Sequence, residues 1–102
     1  MKVYIAGKIT GDPGYWEKFA KAAAAIQQRG YAAGKTFIVL NPADLPEGMA
    51  PADYMRICFA MIDSADFCVF LPDWEESRGA RLERTYCEYI GKEAATLGTN
   101  NI

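Results

Sequence analysis

Phe67-Cys-Val-Phe-Leu-Pro-Asp-Trp-Glu-Glu-Ser-Arg-Gly-Ala-Arg-Leu-Glu83 joins an apolar run to a helix through a polar, glycine-containing loop. Phe67 to Leu71 is apolar at every position, which predicts a strand covered on both faces, the habit of a parallel sheet. The helix that follows is predicted from Ser77 or Arg78 to about Ile90, with Gly91 as its C-cap. In alternating strand and helix folds, ligands sit where strand ends feed helix N-termini, whose free N–H groups attract anions. Glu83, on the helix just past that loop, is therefore the candidate for chemistry.

Upstream, Pro51 to Ser64 reads as a helix that is apolar over most of its circumference, with Arg56 as its one basic residue. That pattern suits a helix packed on a sheet and also against another subunit. Before it, Thr36 to Leu40 is a second strand, reached through a Tyr31-Ala-Ala-Gly-Lys35 connection and closed by Asn41-Pro42. Asn41 either donates its side-chain amide into the site or caps a turn.

The first strand is Lys2 to Ala6, followed by the loop Gly7-Lys-Ile-Thr-Gly-Asp-Pro13. Its two glycines permit close backbone approach to an anion, and a plain tight turn has the same composition. Asp12 and Pro13 suit the N-cap and first positions of a helix to Arg29, ended by Gly30, with Trp16, Phe19, Ala23 and Ile26 on one face. Trp16 at this spacing reads as core; the alternative is that the pair Tyr15 and Trp16 stacks on a base. Glu93 to Leu97 is a weak last strand. The alternation gives an α/β fold: one domain over residues 1–102, a four-stranded parallel sheet in the order 2-1-3-4, and helices on both faces. That order places the loops after the first and third strands at one switch point.

Composition narrows the function. Net charge is -2 with both signs interspersed, so no footprint for a nucleic-acid polymer or an anionic membrane is visible. Cys58, Cys68 and Cys87 lie inside apolar segments and read as reduced core thiols of a cytoplasmic protein. Met1-Lys2 runs straight into the first strand, so neither a secretion signal nor a membrane anchor is expected. There is no histidine, which removes Ser-His and Cys-His pairs and most zinc sites, so carboxylates must do any proton work. No cofactor or metal is expected.

At the predicted switch point, backbone N–H groups from Gly7 to Gly11, the Ser77 hydroxyl, the Gly79 backbone, Arg78 and Arg81 surround the Glu83 carboxylate. Such a carboxylate can attack an oxocarbenium-like sugar carbon while the donors hold a phosphate. The competing reading makes Glu83 a helix-surface residue paired with the nearby arginines.

The run Val3 to Gly11, the Asn41-Pro-Ala-Asp-Leu-Pro46 turn, Tyr54-Met-Arg56 and Trp74 to Glu83 resemble the DUF4406 family, common in phages and prophages and related to the nucleoside 2-deoxyribosyltransferases. The resemblance spans nearly the whole chain and implies a small flavodoxin-like three-layer sandwich. The Ser77, Gly79, Glu83 spacing is also similar to that of the 2'-deoxynucleoside 5'-phosphate N-hydrolases. The resemblance implies that Glu83 is the nucleophile at the deoxyribose C1' carbon. It implies too that the first loop, Gly7, Lys8, Ile9, Thr10 and Gly11, holds a 5' phosphate together with Ser77, Arg78 and Gly79. Tyr4, Asn41, Arg56, Cys58 and Trp74 complete the implied substrate site.

Ser77 stands where transferases acting on free nucleosides tend to carry an acid. A serine can donate to phosphate where an acid would repel it, which points to a 5'-phosphorylated ligand. Cys58 stands where relatives usually have an aspartate that assists the leaving base, and a thiol does not repeat a carboxylate's duties. Lys8 replaces a usual proline and Asp73 a common glycine, which makes Asp73 a candidate for the missing acid. The expected activity is N-glycosidic cleavage or deoxyribosyl transfer on a nucleotide or nucleoside. The alternatives are an impaired nucleotide-binding module and a phage accessory protein. A homodimer or higher homo-oligomer through the second and third helices is expected under any of these.

Overall fold

Residues of the first strand, β1 (Lys2–Ala6), point alternately to two faces, and each face acquires its own core. Val3 and Ile5 pack with Val69 and Leu71 beneath Phe19, Ala22 and Ile26 of the first helix, α1 (Tyr15–Ala32). Tyr4 and Ala6 pack on the other face with Cys68 and Phe70. That second core is closed by Cys58 and Ile62 of α2 (Pro51–Ser64) and Cys87 of α3 (Arg78–Ile90). The remaining strands are β2 (Ile38–Leu40), β3 (Phe67–Phe70) and β4 (Ala94–Thr96). The computed structural model describes residues 1–98, so residues 99–102 of the expected domain lie outside the described residues.

The sheet has the order β2-β1-β3-β4, and every pairing is parallel. Val3 sits opposite both Val39 and Phe67, and Cys68 opposite Ala94. The expected order and the placement of helices on both faces therefore hold. A parallel sheet buried on both sides explains why β1 and β3 are apolar without alternation.

Several boundaries differ from expectation for local reasons. Asp12 does not cap α1; its side chain accepts the Gly14 N–H at 2.9 Å, and Gly14 is the N-cap, so the helix begins after Pro13. Gly30 does not end α1 but lies buried within it. A Cβ there would stand 3.1 Å from the Lys35 carbonyl oxygen and the Phe37 ring, so the missing side chain lets the returning chain close over the helix. That return uses residues 33–37, and β2 is accordingly shorter than Thr36 to Leu40. Trp16 is 61% exposed and outside the core. The buried stripe runs through Phe19, Ala22, Ile26 and Gly30 instead.

α3 begins and ends as its sequence indicates. Ser77 is the N-cap, with Oγ accepting the Ala80 N–H at 3.1 Å, and Gly91 is the C-cap at φ +73°. α2 buries only Cys58 and Ile62, leaving Ile57 exposed, while its Phe59 stacks on Tyr86 with ring centroids 4.2 Å apart. Among the described residues, no helix is long and apolar enough to cross a membrane.

Candidate active site

A crevice of about 970 Å³ opens above Tyr4, where the loops after β1, β2 and β3 meet the first turns of α2 and α3. Glu83 lies in its depths, 6% exposed, as the one charged residue fully buried among the described residues. α3 carries it there because Ala80, Glu83 and Cys87 share the helix face turned to the sheet. Burying a carboxylate is unfavourable unless donors meet it. The Tyr4 hydroxyl donates to Glu83 Oε2 at 3.1 Å, and the Cys58 thiol lies beside the same carboxylate.

These donors offset only part of the burial. Burial raises the Glu83 carboxyl from an ordinary 4.5 to about 7, while the Tyr4 hydroxyl and the neighbouring Cys58 thiol pull it down. Burial likewise pushes the Cys58 thiol up to about 11, with the neighbouring Glu83 charge adding to the effect. Tyr4 rises well above its usual value, first through burial and then through Glu83. At neutral pH, then, Tyr4 and Cys58 are protonated donors around an acid poised between its two forms. Among the described residues no ion pair reaches Glu83, so the surface-pair reading of this residue does not hold.

The N-terminus of α3 forms another wall. Because Ser77 Oγ accepts from Ala80, its own O–H proton remains available to a ligand. The Arg78 and Gly79 N–H groups also have no protein acceptor among the described residues, as expected in the first turn of a helix. Gly79 keeps this end close to α2: a Cβ there would lie 3.4 Å from Met55 Cε. Gly7, Ile9 and Thr10 of the first loop line the crevice as well. Gly7 has a packing reason of its own, since a Cβ would fall 2.8 Å from Leu71 Cδ1.

Other residues of the expected site lie elsewhere. Asp73 is not in the crevice lining; its carboxylate accepts the Lys18 ammonium at 2.5 Å and the Lys8 N–H at 3.2 Å. Lys18 also donates to Asp12 at 2.5 Å and to the Lys8 carbonyl at 2.7 Å, tying the loop after β1 to the loop after β3. Burial works against the Lys18 charge, but its bonds to Asp12 and Asp73 outweigh that and raise its pKa. The Lys8 ammonium reaches Glu76 at 3.9 Å on the surface.

Asn41 caps a short 3-10 turn (Pro42–Asp44), accepting the Ala43 N–H at 3.0 Å. Arg56 is exposed and pairs with Asp53 at 3.0 Å. Trp74 stands edge-on to Phe70, centroids 5.8 Å apart, under the Arg84 guanidinium. Gly11 is an exposed turn residue at φ +81°, and Arg81 is exposed outside the lining, whereas Arg78 is part of it.

Tyr15, one of the two aromatics considered for stacking on a base, lines the crevice, and so do residues that sequence reasoning did not place in the site: Leu45, Glu47, Met49, Tyr54 and Glu76. The turn residues Pro46 and Gly48 place a loop at this end of the sheet, but the segment from Pro46 to Met49 carries no periodicity to say which of its side chains face the crevice. Tyr54 Oη donates to the Pro46 carbonyl at 2.6 Å and accepts the Met49 N–H at 3.2 Å, which fixes the segment. Tyr15 Oη donates to Glu47 Oε1 at 3.1 Å. Among the described residues, no group of three or more metal-ligating side chains of the His, Cys, Asp or Glu type is present.

Comparison with curated proteins finds no match to this sequence. Among solved structures, a 2-desoxiribosyltransferase from Leishmania mexicana is similar, with a TM-score of 0.68 at 22% identity. The match covers 93% of this chain and 62% of that one, and likeness at this identity shows the fold. Residues 1–96 match the family described as a domain of unknown function, DUF4406, and the chain belongs to that family.

Proposed function

We propose that the crevice takes a deoxynucleoside 5'-phosphate and that Glu83 is the nucleophile that breaks its N-glycosidic bond. The carboxylate attacks C1', forming a glycosyl ester, as the base departs with the bonding electron pair and takes up a proton. Water or a second base then attacks C1' and releases Glu83. The single observation carrying this reading is the carboxylate itself, buried in the crevice and met by Tyr4 at 3.1 Å. A carboxylate poised near 7 is available in its ionised form at neutral pH while remaining desolvated enough to react. The Ser77 hydroxyl and the free N–H groups of α3 suit the phosphate. The similarity in fold to a deoxyribosyltransferase supports the same class of ligand.

Incubation of the protein with deoxynucleoside 5'-monophosphates, with released base assayed, tests the proposal. Base release that disappears in Glu83→Gln supports it; release that persists in that variant overturns it.

A second reading, a nucleotide-binding module without turnover, is favoured by Cys58. Its thiol is the group beside Glu83 where an acid for the leaving base is expected, and burial holds it protonated far above neutral pH. Ligand-induced thermal stabilisation without base release supports this reading. We also propose self-association through α2 and α3, supported by the exposed Ile57, Leu82 and Ile90. A monomeric mass in solution at micromolar concentration counts against it.

A further inference from the structure

The sheet order places the loops after β2 and β3 on opposite sides of β1, with Tyr4 between them. The β3 side leads to Ser77 and the free N–H groups of α3, an anion-binding end. The β2 side is chemically different. Leu45, Pro46 and Met49 provide an apolar wall, joined by the rings of Tyr15 and Tyr54. Within that wall stands one carboxylate, Glu47.

Glu47 is exposed at the rim of the crevice, where two tyrosines hold it. Tyr54 pins the backbone on either side of it through Pro46 and Met49, and Tyr15 Oη holds Oε1 at 3.1 Å. Among the described residues Oε2 has no partner. An ionised carboxylate oxygen accepts hydrogen bonds and never donates. An apolar and aromatic slot accepts a planar heterocycle, and an acceptor at its edge favours a ring that presents an N–H donor over one that presents none.

We infer that Glu47 is a specificity-determining residue that selects a nucleotide whose base carries an exocyclic amine, against the same base without that amine. The inference rests on the nucleotide reading of the crevice and extends it to the class of base. Deoxyadenosine 5'-monophosphate against purine 2'-deoxyriboside 5'-monophosphate, and deoxycytidine 5'-monophosphate against 2-pyrimidinone 2'-deoxyriboside 5'-monophosphate, isolate the choice, because within each pair the amine is replaced by hydrogen and no new donor or acceptor appears.

Binding of all four is measured by calorimetry on the protein, on Glu47→Gln and on Tyr15→Phe. The unsubstituted protein binds the amino member of each pair about tenfold more tightly, the size of one charge-assisted hydrogen bond. Glu47→Gln brings the ratio close to one, and Tyr15→Phe lowers it partway by freeing the carboxylate. Equal binding within each pair, or a preference unchanged in Glu47→Gln, overturns the inference while leaving the nucleotide reading intact. No binding of any of the four overturns both.

Discussion

The Tyr4 hydroxyl donates to Glu83 Oε2 at 3.1 Å across a sequence separation of 79, linking the first strand to the last helix at the centre of the crevice. This hydrogen bond favours the charged carboxylate, in opposition to burial. Tyr4→Phe removes the donor and keeps the ring, so the Glu83 pKa should rise above 7. On the proposed reading the ionised carboxylate attacks, so the rising limb of the pH profile should move upward by about one unit. The rate of base release measured across pH 5 to 9 checks this; an unmoved limb separates Tyr4 from the titration of Glu83.

The same titration governs stability. The Glu83 pKa is about 7 in the folded chain and near its ordinary 4.5 when unfolded, so between those values the folded state binds more protons than the unfolded state. Stability from this group is therefore full below about 4.5 and is lost as pH rises through about 7. The loss is on the order of 3 kcal/mol from the size of the shift. Glu83→Gln can still accept from Tyr4 but does not ionise. Thermal melts should find this variant more stable than the unsubstituted protein at pH 8, with the advantage gone at pH 4.5. A constant difference across that range contradicts the assignment.

Those two consequences depend on a residue that the sequence made legible, and the reason is physical. Glu83 follows an apolar strand, a helix cap and a short loop, each with a strong local signature, and together these determine which face of α3 meets the sheet. Trp16 had only helical spacing behind it. Its neighbours Phe19 and Ile26 are core, but the buried stripe continues to Gly30, because the chain returning to β2 closes there and not over Trp16. Asp73 resembled a spare acid because its loop position says nothing of its partner. The partner is Lys18, 55 positions away, and their ion pair makes Asp73 a tether between loops. Glu47 was invisible for a related reason: its role depends on Tyr15 and Tyr54, contacts that no period or cap encodes.

On the proposed reading, Cys58 stands where an acid for the departing base is expected, and substituting it tests that reading. Its thiol lies beside Glu83 in the crevice wall, so an aspartate in its place reaches the same region and supplies an acid able to protonate a departing base. Two adjacent buried carboxyls cannot both ionise readily, which keeps one of them protonated near neutral pH. Cys58→Asp should therefore raise base release by at least about tenfold, at the modest end of general acid catalysis, while lowering the melting temperature. Nucleotide binding without any gain in release in the folded variant places the missing proton donor elsewhere.

Ser77 serves α3 and, on the proposed reading, the ligand, and the two duties can be separated. Aspartate is as good an N-cap as serine, so Ser77→Asp preserves the hydrogen bond to the Ala80 N–H and should leave the melting temperature nearly unchanged. The aspartate has no proton to donate and carries the charge of a phosphate. Affinity for deoxynucleoside 5'-monophosphates should fall by about tenfold or more, the size of a lost charge-assisted hydrogen bond, while affinity for the corresponding nucleosides should hold or rise. Ser77→Ala should do the reverse on stability, losing about 1 kcal/mol with the cap. Calorimetry with paired nucleosides and monophosphates reads the difference. Equal loss for both ligands in Ser77→Asp makes Ser77 a helix cap and nothing more, and moves the phosphate away from the α3 N-terminus.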